Sequence, residues 1–206
     1  MAKEKSKTQV IIPCRLSYFY GWEPDEDDGK YSTQVLLDKS DTKTITKVKE
    51  AIKEAINANK SKLVNAKGKL PSNLKLPLHD GDEERDGDEY NNMLYFNAST
   101  THKPSIFNRR REPITDRSEV YSGCYANVAV NFFAFNKGGN IGISAGLQAI
   151  QKVRDGEMLG GSSVGADDFE DLGDEEPDDF LDDELSAEAR DGSDDSGDDV
   201  DALLDF

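Results

Sequence analysis

Between Tyr125 and Ala145 the chain alternates so regularly that it can only be a paired strand with two unlike faces. Ala126, Val128, Val130, Phe132 and Ala134 fall on one side and Tyr125, Asn127, Asn131, Phe133 and Phe135 on the other, which is the two-residue period of a pleated strand. Asn136-Lys137-Gly138-Gly139-Asn140 follows. It is a hairpin turn by chemistry, because glycine accepts positive φ, and Ile141 to Ala145 forms the return strand. One face is aliphatic and the other aromatic, so both cannot be interior unless both are covered.

Further strands are legible upstream. Gln9 to Tyr20 is rich in β-branched and aromatic residues, with Pro13 marking an edge or a bulge. After the polar turn from Gly21 to Gly29, Tyr31, Thr33, Val35 and Leu37 alternate as a second strand, and the two read as a hairpin. Ser40-Asp41 caps a helix in which Ile45, Val48, Ile52, Ala55 and Ile56 share a face and Lys43, Lys47, Lys49 and Lys53 stay off it. Residues 57 to 92 read as a long connection with a short helical extension near Lys62 to Asn65. Met93 to Ser99 returns to strand composition, and Gly146 to Arg154 reads as a short closing helix. About five strands, one main helix and glycine-bearing turns fit a mainly β fold, a small barrel of the OB type, better than a seven-stranded sandwich. No βαβα alternation supports a parallel sheet.

The last forty residues cannot join that core. They hold twenty acids and one base, Arg190, a net charge of −19, which leaves residues 1 to 166 with 24 Lys+Arg against 22 Asp+Glu. The expected organisation is a flexible N-terminus over residues 1–8, an OB-fold domain over 9–160 and a disordered acidic tail over 161–206, entered through the glycine- and serine-rich stretch at 160–163. A mildly basic body joined to a polyanion points to nucleic acid, since both can compete for one surface. The tail ends on three large apolar side chains among acids, which reads as a docking peptide: Asp201, Leu203, Leu204, Asp205 and Phe206. Asp178-Asp179-Phe180-Leu181 repeats the recipe upstream. Cys14 and Cys124 form no paired framework and read as reduced core thiols in a cytoplasmic protein, and no apolar run is long enough to span a membrane.

Two groups of residues carry candidate chemistry. Aromatics gather around the first hairpin (Tyr18, Tyr20, Trp22, Tyr31) and recur at Tyr95, Phe107, Tyr125 and Phe133. Rings left on a sheet surface suit unpaired bases, whose π-faces stack on them at roughly 1–3 kcal/mol per base. Arg109-Arg110-Arg111, with Lys103 nearby, is the densest positive charge, and fork-shaped guanidiniums suit phosphate contacts. The acidic run from His79 to Glu89 is where a metal would be sought. Read from Asp82 it lacks the calcium-loop glutamate, since Met93 stands at position twelve. Carboxylates crowded into one loop make a poor nuclease centre, and His79, His102, Cys14 and Cys124 lack zinc-finger spacing. No phosphate cradle or nucleophile motif occurs, so no cofactor, metal or catalytic residue is expected. An acidic DNA mimic and a metal-dependent nuclease centred on Asp80 and Asp82 are the rival readings.

Ser17-Tyr18 with Glu23-Pro24, the run Lys30 to Asp41, Ala51-Ile52, Leu78-His79-Asp80-Gly81-Asp82, Gly123-Cys124-Tyr125-Ala126, Gly142-Ile143 and Gly156 together resemble phage and prophage OB-fold single-stranded-DNA-binding proteins, long catalogued as a domain of unknown function. The resemblance covers about residues 9 to 170. It implies an OB fold, sequence-tolerant binding of single-stranded DNA in replication and recombination, and no catalysis. It also implies a tail that recruits polymerase, helicase or recombination proteins, and a structural role for Asp80-Gly81-Asp82. The candidate DNA-binding residues are Tyr18, Tyr20, Trp22, Tyr31, Lys39, Tyr95, Lys103, Phe107, Arg109, Arg110, Arg111, Tyr125, Phe133 and Lys137. A second copy of the chain is a further candidate partner.

Overall fold

The computed structural model of the chain describes residues 6–64, 69–71 and 73–160. Most of the expected flexible N-terminus and the whole tail, with its docking peptide, lie outside the described residues. Within them one sheet runs in the order β3-β4-β2-β1-β6-β7-β5. Its strands are β1 Gln9–Tyr20, β2 Tyr31–Asp38, β3 His79–Asp80, β4 Met93–Thr100, β5 Ser105–Phe107, β6 Tyr125–Lys137 and β7 Asn140–Arg154. Five of these close into a barrel, because β4 meets β7 in parallel through Ala98 opposite Ala145 and Ser99 opposite Gly146, while the other barrel pairings are antiparallel. That closure is the OB arrangement. The short β3 and β5 lie outside the ring of five.

The barrel closes around inward side chains, of which Val35 and those of β6 belong to the alternating sets read from the sequence. Ile12 and Leu16 of β1, Val35 of β2, Phe96 of β4, Val128, Val130 and Phe132 of β6 and Ile150 of β7 are all buried. The Phe96 and Phe132 rings meet at 5.6 Å. Helix α1, Thr42–Ala58, begins where the sequence places its cap: the Asp41 carboxylate accepts from the Thr44 N–H at 3.0 Å. Thr44, through its side chain first and this N–H second, holds the Asp41 pKa below its usual value. Val48, Ala51, Ile52 and Ala55 are buried, and the helix packs on β1 and β6. The helical extension exists but is earlier than expected, as α2, Lys60–Leu63.

Pro13 stands in the half of β1 that pairs only with β6, because pairing with β2 begins at Arg15. A residue without an N–H is therefore placed on a locally free flank. At the β6–β7 turn Gly138 and Gly139 have φ of 59° and 82°, as the glycine pair requires.

The closing helix expected over Gly146 to Arg154 is instead the second half of β7. A bulge is the reason: Val130 opposes Leu147 and Ala129 opposes Ala149, so Gln148 is extra. Ile143, Ala145 and Leu147 face inward at intervals of two, and the next inward residue is Ile150. One inserted residue gives a strand the three-residue spacing of a helix. The described residues of 57–92 are also more than a plain connection, holding α2, β3, the single-turn helix α3 (Gly81–Glu84) and a 3₁₀ turn at Asp88–Tyr90.

Candidate nucleic-acid interface

Strand β1 carries Ile12, Cys14 and Leu16 inward, and strict alternation would send Tyr18 and Tyr20 inward too. It does not, because the pairing with β2 slips by one residue between Ser17 and Tyr20. Tyr18 within the slip has φ of 43°, a left-handed conformation that costs a tyrosine about 1–2 kcal/mol and persists only where the surroundings impose it. The slip turns Phe19 toward the core, edge-on to Trp22 at 6.4 Å, and leaves Tyr18 55% and Tyr20 43% exposed. The Phe19 N–H donating to the Ser122 hydroxyl at 3.0 Å fixes this path.

Two clefts meet at Tyr18. One, lined by Tyr20, Ser122 and Leu159, also holds Glu89. The other, about 390 Å³, is floored by the outward residues of β2 and β4, Ser32, Gln34, Asn97 and Ser99, with Arg85 and Asp28 at its sides. Asp28 is paired with Lys30 at 2.6 Å, and that hydrogen bond holds its carboxyl below the ordinary range. The outer surface of these two strands is where OB barrels bind oligonucleotides.

Strand β3 extends the sheet beside β4, and residues 81–90 form a second layer on the rest of that surface. His79 stacks on Tyr95 at 5.2 Å, Tyr90 meets Tyr95 edge-on at 5.4 Å, and Leu36, Tyr90 and Tyr95 make a small separate core against which Leu159 packs. The layer delivers Arg85, whose guanidinium lies 5.3 Å from the Tyr95 ring and 5.7 Å from the Tyr90 ring. Tyr95, expected as a stacking platform, is 5% exposed, so it anchors this layer and offers no face to a base. Lys39, expected at phosphates, reaches Asp80 and Asp82 at 2.5 Å each. Those carboxylates raise its pKa, and it in turn lowers that of Asp82. Asp80 also accepts from the Asp82 N–H, and Asp82 from the Asn92 N–H at 2.8 Å. The acidic run is thus a clasp holding the layer on β4, with an ammonium where a nuclease would place a cation.

The other candidates fall in separate places. Trp22 is half-buried: its N–H donates to the Val120 carbonyl at 2.9 Å, and Lys103 lies 5.9 Å from its ring. Tyr31 opens β2, opposite Thr100. The arginine loop is shaped by Asn108, whose side-chain oxygen accepts from the N–H groups of Arg110 and Glu112. Arg111 sits there at φ 69°. The loop divides its charges, with Arg109 and Arg110 lining a polar cleft beside Lys152 and Arg154, and Arg111 lining an apolar groove with Phe107, Ile11 and Ala149. Tyr125 is already stacked, with Arg154 3.4 Å and Arg15 5.9 Å from its ring centroid. Phe133, 42% exposed, and Lys137 stand on the arm made by β6 and β7.

The free thiols of Cys14 and Cys124 are buried, and burial raises both pKa values. Among the described residues no cluster of three or more His, Cys, Asp or Glu is placed to hold a metal ion, and no helix is long and apolar enough to cross a membrane.

A family model described as Enterobacter phage Enc34, ssDNA-binding protein, matches residues 7–181. Putative protein p50 of Acyrthosiphon pisum secondary endosymbiont phage 1 is 33% identical over 178 residues, covering 81% of this chain and 95% of that protein. Among solved structures, the single-stranded DNA-binding protein from bacteriophage Enc34 in complex with ssDNA aligns with a TM-score of 0.62 at 24% identity, covering 77% of this chain and 97% of its own. The gp2.5 single-stranded DNA binding protein encoded by bacteriophage T7 aligns with a TM-score of 0.53 at 14% identity, covering 75% and 94%. Both structures share the fold.

Proposed function

We propose that this chain, which belongs to the family of the Enterobacter phage Enc34 ssDNA-binding protein, binds single-stranded DNA in the clefts around Tyr18 without reading its sequence and without catalysis. The observation that carries the reading is the strained, exposed Tyr18 beside Arg85 on the open part of the β2–β4 face. A strained residue retained on a surface marks function better than an ordinary exposed ring. Tyr18 and Tyr20 offer π-faces to unstacked bases, while Arg85 supplies a flat guanidinium. Glu89 at the cleft edge disfavours phosphates there, so the bases turn inward and the backbone runs along outlying cations. Duplex DNA, with its bases stacked inside, cannot enter such a cleft.

In this reading the protein serves phage DNA replication, recombination and repair in the host cytoplasm. The acidic tail competes with DNA for the basic body, and Asp201, Leu203, Leu204, Asp205 and Phe206 recruit a polymerase, helicase or recombinase. Fluorescence polarisation with labelled single-stranded, duplex and RNA oligonucleotides tests the core of it. Preference for single-stranded DNA is expected, with affinity falling as salt rises, and equal affinity for duplex would overturn it.

The arginine loop is assigned to phosphates. Replacing Arg109, Arg110 and Arg111 together by alanine is expected to weaken binding to all sequences alike and to flatten the salt dependence by about 0.7 in log–log slope for each phosphate that is no longer neutralised. An unchanged slope would remove the loop from the DNA path.

A further inference from the structure

We infer that Asn97 makes the cleft indifferent to base identity by serving as a fixed hydrogen-bond donor, held in that role by a buried relay from Tyr90 through Gln34. This rests on the placing of DNA in the Tyr18 cleft.

Gln34 is 3% exposed beneath the cleft, and a buried amide must find partners for both its ends. Its side-chain oxygen accepts from the Tyr90 hydroxyl, and its Nε2 donates to Asn97 Oδ1 at 3.1 Å. Tyr90, also 3% exposed, is fixed in the small core with Leu36 and Tyr95. The relay therefore sets the exposed Asn97 from below: the bond from Gln34 holds its oxygen toward the buried amide, and its Nδ2 is the end left for the cleft that it lines beside Tyr18 and Arg85.

The consequence is a reading too degenerate to select a base. A free asparagine presents donor and acceptor together and pairs bidentately with adenine, which is how side-chain amides pick that base out. An asparagine whose oxygen is held toward a buried amide turns its donor to the cleft and cannot flip to present both ends to one base. Each of the four bases carries a carbonyl oxygen or an unprotonated ring nitrogen on an open edge, so a lone donor is satisfied by all of them. A lone acceptor would not be, because thymine offers only its N3–H, flanked by two carbonyl oxygens that repel a carboxylate, whereas cytosine and adenine offer amino groups.

The experiment compares equal-length dT, dC and dA homopolymers on the full chain and on N97D, N97A and Y90F, with a thermal melt of each variant as the folding control. N97D turns the donor into an acceptor and is expected to lower dT affinity relative to dC by roughly tenfold, the weight of one hydrogen bond to a charged group. Its added charge weakens every oligonucleotide alike and cancels in the ratio. N97A is expected to weaken all three by a common factor. Y90F, which frees Gln34 and hence Asn97, should raise dA relative to dC. Wild-type ratios in both N97D and Y90F would overturn the inference. If Tyr18→Ala weakens binding while those ratios stay put, only the role of Asn97 falls; if Tyr18→Ala changes nothing, the placing of DNA in the cleft falls with it.

Discussion

Tyr18→Ala is expected to weaken single-stranded DNA binding by roughly 5- to 150-fold, the range that corresponds to losing about 1–3 kcal/mol of stacking on one base. The melting temperature should hardly move, because the ring is 55% exposed. Alanine inherits the left-handed backbone, so the strain persists and the missing ring accounts for the difference. Tyr18→Gly removes the same ring and relaxes the backbone, and should melt above the alanine variant while binding as poorly. The measurement is a polarisation titration beside a thermal melt. A wild-type dissociation constant in Tyr18→Ala would refute the cleft assignment, whereas a large drop in melting temperature would show that the ring was structural. Arg85→Ala should weaken binding further and also loosen the layer it helps to hold over Tyr90 and Tyr95.

Ending the chain at Gly165 is expected to raise affinity for single-stranded DNA, roughly tenfold at low salt, because it deletes twenty acids and one base and leaves a body near neutrality. The gain should shrink as salt rises, since a screened polyanion competes less. A gel-shift or polarisation titration of the two chains across a salt series gives both quantities. Equal or weaker binding by the shortened chain would show that the tail does not compete.

Much of the fold is legible in the sequence because the periodic segments are long. Strand β1 has the bounds its composition indicates, α1 starts at the cap that Asp41 provides, and the inward set of β6 is the aliphatic set of the alternation. Two of the departures share one cause, a residue that breaks the period. Gln148 gives β7 a helical spacing, and the slip at Tyr18 reverses which residues of β1 face out. Strand β5 has three residues and β3 two, too few to show any period.

The candidate site is legible in its residue types and less so in its geometry. Tyr18 and Tyr20 stand out as rings and do line the clefts, but composition cannot show that His79 and Arg85 cover Tyr95, or that Lys39 faces Asp80 and Asp82 across 41 and 43 positions. Arg85 is absent from the expected DNA-binding residues although it carries a signal, a single base amid the acids from Asp80 to Glu89. Gln34 and Asn97 give none, since their significance lies in facing each other across β2 and β4.

The barrel is sealed along one side by two residue pairs, Ala98 with Ala145 and Ser99 with Gly146. Such a seam joins segments distant in sequence, so it is expected to form late in folding and to open early, which amide hydrogen exchange at Ala98, Ser99 and Ala145 would read. Ser99 belongs at once to that seam and to the cleft floor. Nucleic acid bound across that floor, as proposed, would press on the seam and brace the whole cylinder, as any ligand of the closed form stabilises it.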